Sequence, residues 1–309
     1  MKAIILAAGL GTRLRPLTLQ IPKPMVPVAG VPNIERIVRH LRSQGISEFA
    51  INLHHCPEPL KAHLGDGGWL NVAIEWFHEP EILGTGGAIR NMIGAMGKET
   101  FIVVNGDVVF MPDIAPLLEA HRTSGAIASM IVKKAISDEA PGTVGLDTSR
   151  RVRRLLWAGD STNEDLYMFT GMHLIEPRIA PYLPHSGCIV RQGYIPMLEN
   201  ADGIFGIPRQ EYFCDLGTAA DYLNANLKIA TGDIPLPGFV PAGNGCIISP
   251  SATFGRGAAV ENSIIGDNAH IGSDIRVSRS IVMPDAMVKE NIHQQIVLAD
   301  GTRMDGTQR

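Results

Sequence analysis

Short apolar runs alternate with amphipathic stretches through the first part of the chain, and that alternation predicts its elements. Ala3–Ala8 is an apolar run that breaks straight into glycine, the pattern of a buried parallel strand. Asn33 is placed to cap a helix. Ile34, Ile37, Val38 and Leu41 then fall on one helical face, and Gly45 stands where the helix should end. Phe49–Leu53 reads as a second strand, Pro57–Leu64 as a short helix, and Gly65–Gly68 as a turn. Val72–Phe77 is a third strand. Gly84–Gly87 is a second glycine turn before a helix to about Met96. Phe101–Val104 is a fully apolar strand ending in Asn105-Gly106-Asp107. Strand–helix alternation of this kind predicts an α/β fold with a doubly wound sheet, which takes ligands at the carboxyl ends of its strands.

The middle is less regular. Ile127–Val132 reads as a strand, Val144–Leu156 and Leu166–Leu174 as strands of a substrate-side lobe, and Arg150, Arg151, Arg153 and Arg154 as a solvated strand face. Thr218 can cap a helix that carries Ala219, Leu223 and Leu227 and ends at Gly232. A Pro-rich linker follows, Ile234–Pro241 at its centre. Beyond it, Ile247–Phe254, Ile264–Ile271 and Ile281–Val288 repeat at an offset of 17 residues, and Val260 matches Val277 at the same offset. Within a repeat the apolar positions recur about every sixth residue. This suits short strands stacked as coils of a β-helix. The expected organisation is therefore residues 1–232, a linker at 233–245, coils over 246–295, and a polar tail at 296–309 that frays from Gly301.

Composition changes this picture little. The chain has 309 residues, 45% hydrophobic and 19% charged, with a formal net charge of −4. A nucleic-acid partner is disfavoured, and no apolar run reaches the length of a membrane span. Met1 leads directly into the first strand with no leader pattern. Cys56, Cys188, Cys214 and Cys246 are scattered without a CxxC pair, so reduced thiols in a cytoplasmic protein are expected. His54 and His55 lie at a strand end with no partner at a zinc spacing and read as structural.

Candidate chemistry gathers after the first strand. Gly9 and Gly11 allow a sharp turn and close approach of the backbone to a ligand, and Arg13, Arg15 and Lys23 add cations within a few residues. The combination suits a triphosphate. The dinucleotide fingerprint fails, because its third glycine falls on Leu14, and the Gly-Lys-Ser/Thr of a Walker A loop is absent. Pro16, Pro22, Pro24 and Pro27 forbid a long helix directly after the turn.

The stretch Gly9-Leu-Gly11-Thr12-Arg13-Leu-Arg-Pro16-Leu-Thr18, with Pro22-Lys23-Pro24-Met-Val-Pro27-Val-Ala-Gly30, resembles the signature of the sugar-1-phosphate nucleotidyltransferases. The resemblance implies a Rossmann-like nucleotidyltransferase domain, and the coils resemble the left-handed hexapeptide β-helix appended to several members. It implies attack of a sugar 1-phosphate on a nucleoside triphosphate, giving a nucleotide-sugar and pyrophosphate. Leu6, Ala8, Gly9, Gly11, Thr12 and Arg13 would then contact the nucleotide, with Arg13 on the β- and γ-phosphates. Lys23 would contact the α-phosphate or the sugar phosphate. Asp107 and Asp215, the latter in Cys-Asp-Leu-Gly-Thr, would hold Mg²⁺. Glu79–Gly87 resembles the base-reading segment, so Glu79 would meet the base beside Gly84 and Thr85. Ionised carboxylate oxygens only accept hydrogen bonds, which favours guanine over uracil or thymine, and Glu81 stands close enough to compete for the alignment.

The sugar side departs from the family. Thr170-Gly171 resembles the segment lining the sugar pocket, but the Glu-Lys-Pro segment of many members is absent from Val152–Asp165. Arg153, Arg154, Glu164 and Arg191 are candidate substitutes. N-acetylmuramate 1-phosphate uridylyltransferases share this absence but lack the β-helix; mannose-1-phosphate guanylyltransferases have the β-helix and usually keep the segment. The expected reaction is guanylyl transfer to mannose 1-phosphate. Uridylyl or thymidylyl transfer, a non-catalytic nucleotide-sugar sensor and a hexapeptide acyltransferase are the alternatives. A homo-oligomer through the β-helix is also expected.

Overall fold

Residues 1–135, 142–159, 166–198 and 203–308 are described by a computed structural model of the protein. Their contacts divide the chain into two compact units: Met1–Gly9 with Ile37–Phe213, and Leu10–Arg36 with Cys214–Arg309. The segment after the first glycine thus clusters with the C-terminal coils, a grouping that the linear order of the chain hides.

The first unit is built on one mixed sheet, ten strands among the described residues. Its centre is parallel. Ala3–Leu6 lies between Glu48–Leu53 and Phe101–Asn105, and Ala73–His78 pairs outside Glu48–Leu53. Ile4, Ile5, Ile51, Val103 and Val104 are all at most 1% exposed. Strands covered on both faces need this continuous apolar sequence rather than alternation. The helix Gly84–Met96 supplies part of that cover, with Ile89 and Met92 in the same core as Ile4, Phe101 and Val103. Beyond Phe101–Asn105 the doubly wound pattern gives way. Leu166–Ile175 runs antiparallel to it and pairs in turn with Ala128–Lys134 and Val144–Leu146. A bulge between Phe169 and His173 interrupts the pairing with Ala128–Lys134. Such a bulge re-aims a strand next to a site.

The second unit begins with three single turns, Thr12–Leu14, Leu17–Gln20 and Lys23–Met25, as the prolines require. Helix Ala219–Thr231 follows its expected signals: Thr218 Oγ1 accepts from the Asp221 amide at 3.2 Å, and Gly232 is left-handed at the other end. The repeat forms three ladders of short parallel strands, in keeping with the left-handed hexapeptide type. Ile247, Ile264 and Ile281 pair in succession, as do Thr253, His270 and Met287. Inside lie Ile265, Ile271, Val277, Val282, Val288 and Ile292. Ile281 then pairs with Ile296, and Val277 with Ile292, so the offset contracts from 17 to 15 residues in the last coil. That contraction conceals the last coil in the sequence.

The tail expected to fray does not. Gln295–Val297 and Arg303–Asp305 form an antiparallel hairpin, the Gly306 amide donates to Gln294 O at 2.8 Å, and Gln308 O accepts from the Ala220 amide at 3.1 Å. Met304, 7% exposed, is the apolar anchor of the polar stretch from Gly301, and Ile296, Val297 and Leu298 before it are buried. Backbone pairing, which leaves no mark on composition, orders these residues. The linker is likewise tied down at its start: Ile234 and Leu236 are buried, and the Ile234 amide donates to Lys228 O at 3.2 Å. Among the described residues no helix is long and apolar enough to cross a membrane, and all four cysteines are free thiols.

Candidate functional site

In the second unit the structure brings Arg13, Lys23 and Asp215 together. Gly11 has φ +61°, and a Cβ there would sit 2.8 Å from Thr18 Cγ2. Thr18, itself buried, donates from Oγ1 to Gly11 O at 2.7 Å and closes the loop. Glycine is required at position 11 by both its conformation and this close approach. Lys23 Nζ lies 3.0 Å from Asp215 Oδ1, and Arg13 Nη2 lies 3.2 Å from Asp215 Oδ2. The Lys23 side chain is only 7% exposed, against 44% for Asp215 and 65% for Arg13. A buried ammonium needs such a partner. A guanidinium and an ammonium held beside one another on this carboxylate suit a phosphate. Gly217 borders the cluster, for a Cβ there would stand 2.8 Å from Arg13 Nη1. Thr12 and Arg15 are exposed nearby in sequence.

In the first unit the expected nucleotide residues are arranged around a buried hydrogen-bond chain. The Ala7 amide donates to Asn52 Oδ1 at 2.7 Å, Asn52 Nδ2 donates to Glu79 Oε1 at 2.7 Å, and the Leu83 amide donates to Glu79 Oε2 at 3.0 Å. Glu79 is 1% exposed. Its carboxylate is therefore occupied by protein donors on both oxygens. These bonds tie residues 79–83 to the end of the first strand through Asn52. Asn52 was missed by sequence reasoning. Its signal is a polar side chain at a fully covered strand position, which is affordable only with partners. His54 Nδ1 meets Glu79 O at 2.8 Å and His55 Nε2 meets Cys56 Sγ at 3.3 Å.

Leu6 ends the first strand and its carbonyl accepts from the Gly106 amide at 2.9 Å. Ala8 is buried, while Gly9 is exposed with no left-handed φ and nothing within 4 Å of a Cβ. The turn at Gly84–Gly87 is the first turn of its helix. A Cβ at Gly84 would stand 2.7 Å from Gly187 O, and one at Gly87 2.6 Å from His185 O, so these glycines answer to packing against residues 184–187. Thr85 Oγ1 accepts from the Ile189 amide at 2.9 Å. Thr170 is fully buried, with Oγ1 donating to Ile131 O at 2.8 Å. Its side chain therefore faces the protein. Gly171 has φ +76°, and a Cβ there would meet Asn105 Nδ2 at 2.6 Å. Asp107 is half-buried beyond Phe101–Asn105. Of the candidate sugar-side substitutes, Arg153 pairs with Asp147 at 2.8 Å and Arg154 Nε donates to Leu156 O at 3.3 Å. Arg191 stacks over Trp157. Glu164 lies outside the described residues.

Among the described residues no group of three or more His, Cys, Asp or Glu side chains is arranged to hold a metal ion. Asp215 nonetheless offers hard carboxylate oxygens, partly exposed to solvent, and so does Asp107. Either carboxylate by itself fits a divalent ion of the kind that takes one or two carboxylates and keeps several waters.

Residues 2–232 match the Nucleotidyl transferase family. The chain is 33% identical over 230 residues to the D-glycero-alpha-D-manno-heptose 1-phosphate guanylyltransferase of Aneurinibacillus thermoaerophilus, covering 74% of this chain and 98% of that protein. It is 29% identical to the mannose-1-phosphate guanylyltransferase of Mycobacterium tuberculosis over 93% of this chain and 81% of that protein. Its fold is similar to HddC from Yersinia pseudotuberculosis complexed with GMP-PN: TM-score 0.62 and 25% identity, over 74% of this chain and 99% of the other.

Proposed function

The chain belongs to the nucleotidyl transferase family, and on that footing we propose that it transfers a nucleotidyl group to a sugar 1-phosphate, with guanylyl transfer to mannose 1-phosphate as the leading pair. The observation that carries this is the convergence of Arg13 and Lys23 on Asp215. In the reaction an oxygen of the sugar phosphate attacks the α-phosphorus of the triphosphate. A new P–O bond forms, the bond from the α-phosphorus to the bridging oxygen breaks, and pyrophosphate leaves with that electron pair. Both reactants are anions, so the protein's main tasks are charge neutralisation and in-line positioning. Arg13, exposed to solvent, takes the β- and γ-phosphates. Lys23, buried and fixed, takes the α-phosphate or the incoming phosphate.

Members of this family generally use a divalent metal. Here Asp107 and Asp215 would hold Mg²⁺, which when bound neutralises phosphate oxygens. The similarity of the relatives, both guanylyltransferases, supports guanine. Self-association is supported by the first coil, which leaves Ile248 and Phe254 each 43% exposed; light scattering of the wild type and of Phe254→Lys tests it, a monomeric wild type ending the idea.

The test is pyrophosphate release across four nucleoside triphosphates and a panel of sugar 1-phosphates with Mg²⁺. Release with GTP and a mannose-like sugar 1-phosphate is expected. Release with UTP instead keeps the reaction and changes the base. A protein that binds triphosphate and releases pyrophosphate with no pair would overturn the transferase reading.

A further inference from the structure

The family's usual sugar-side lysine has no counterpart here, yet a cation is supplied at the same lobe by a different element. Residues Ile189–Tyr194 form a π-helical turn. Such turns are rare and concentrate at functional sites. This one is held from two sides. The Ile189 amide donates to Thr85 Oγ1 at 2.9 Å, and Tyr194, fully buried, hydrogen-bonds His173 of the strand Leu166–Ile175. The turn therefore links the start of helix Gly84–Met96 to the strand that carries Thr170 and Gly171. Its outward residues are Arg191 and Gln192, and the Arg191 guanidinium carbon lies 5.4 Å from the ring centroid of Trp157.

Trp157 is 70% exposed. It sits at the tip of the hairpin formed by Val152–Leu155 and Ala158–Gly159, inside the region where the Glu-Lys-Pro segment is absent. The tip is fixed: the Leu156 amide donates to Thr143 O at 2.7 Å, and the Thr143 amide donates to Tyr167 O at 2.9 Å. Tyr167 precedes Thr170 by three residues on one strand, a separation of about 10 Å at strand rise. An indole 70% exposed, with a guanidinium over one face, can offer its other face to a ligand. A stacked guanidinium also keeps its in-plane N–H donors free at its rim.

We propose that Trp157 and Arg191 form the sugar 1-phosphate subsite, the open indole face taking a C–H face of the sugar ring and the Arg191 guanidinium taking the phosphate. The inference rests on the transferase reading. It assigns the missing lysine's charge to a residue on a different element, and it replaces a hydroxyl-reading carboxylate with an aromatic platform. Aromatic faces accept apolar and cationic groups, and the fork of a guanidinium matches phosphate oxygens. Selectivity should then follow which sugar face is free of axial hydroxyls, more than any single hydroxyl.

The test uses the full chain and the variants Arg191→Gln, Arg191→Lys, Trp157→Ala and Trp157→Phe. For Arg191→Gln the KM for mannose 1-phosphate should rise about tenfold or more, equivalent to about 1.4 kcal/mol, with the KM for the triphosphate changed less than twofold. Trp157→Ala should raise the sugar 1-phosphate KM similarly, Trp157→Phe should restore most of it, and Arg191→Lys should lie between Gln and wild type. Mannose 1-phosphate should also quench tryptophan fluorescence in the presence of a non-hydrolysable triphosphate, and Trp157→Phe should abolish the change. Sugar 1-phosphate KM values unchanged in both Arg191→Gln and Trp157→Ala would overturn the subsite while leaving the transferase intact. Should the wild type turn over no pair, the fluorescence arm decides the subsite alone, absence of a Trp157-dependent quench overturning it.

Discussion

Lys23 Nζ lies 3.0 Å from Asp215 Oδ1, across 192 residues of sequence, and the lysine is the more buried partner. On the proposed reading the pair joins a residue that would meet phosphate with one that would hold a cation. Each neutralises the other until substrates arrive. Asp215→Asn should therefore cost activity through both, lowering kcat about 10²–10³-fold, the scale of losing one preorganised charge contact. Pyrophosphate release measures it, with circular dichroism to show that the variant is folded. A variant within threefold of wild type would remove Asp215 from the machinery.

Gly217→Ala is a milder probe of the same cluster. The backbone there needs no left-handed φ, but the new Cβ would stand 2.8 Å from Arg13 Nη1. Arg13 is flexible enough to move, so thermal stability should change little. Its hold on the triphosphate should loosen, raising the triphosphate KM about three- to tenfold. Steady-state kinetics with the sugar 1-phosphate saturating checks this.

Glu79→Gln tests the buried chain. A carboxylate accepts from both Asn52 Nδ2 and the Leu83 amide; a glutamine must turn its own NH₂ toward one of these donors. One unsatisfied buried donor costs about 1–3 kcal/mol. The denaturation midpoint should fall accordingly, and base selectivity in the triphosphate panel should relax as residues 79–83 loosen. Unchanged stability would mean that the carboxylate is not committed to these donors.

Burial pushes the His173 imidazole down to about 3, from an ordinary value near 6.5, and burial also lowers His40 and His121. Between pH 3 and 6.5 the unfolded chain binds a proton at His173 that the native state does not. Stability therefore rises with pH through this window and is lost as pH falls below 6.5. At pH 5 His173 alone accounts for up to about 2 kcal/mol. Denaturant midpoints at pH 5 and 7 should show the drop. His173→Gln should start lower, having lost its ring contacts with Phe169 and Tyr194, and should show a smaller drop.

The C-terminal coils are structural for their own unit. Tyr222 is 1% exposed, its hydroxyl donates to Met283 Sδ at 3.6 Å, and Leu223 is 3% exposed. Deleting residues 246–309 should expose this helix face and give a dye-binding, aggregating protein. Tyr222→Ala should lower stability by about 3–5 kcal/mol, the cost of truncating a buried aromatic. A soluble, cooperatively folding truncation would show that the helix does not need the coils.

The sequence by itself determined what depends on neighbours in the chain. Apolar runs set the parallel strands, proline broke the stretch after Gly11 into single turns, Thr218 and Gly232 bounded a helix, and an unvarying offset of 17 residues set the stacking of the first three coils. These are local rules of period, dihedral and capping. Tertiary structure decided what depends on distant partners. It committed the Glu79 carboxylate to Asn52 and Leu83 and turned Thr170 inward to Ile131. It assigned the glycines at 84–87 to the packing of residues 184–187 and ordered a polar tail through backbone pairs. A carboxylate or hydroxyl carries the same letter whether it faces a ligand or a buried amide, and only the partner brought by the fold separates the two. Arg13, Lys23 and Asp215 were legible one at a time as charges in a motif; that two of them share the third is a fact of three dimensions.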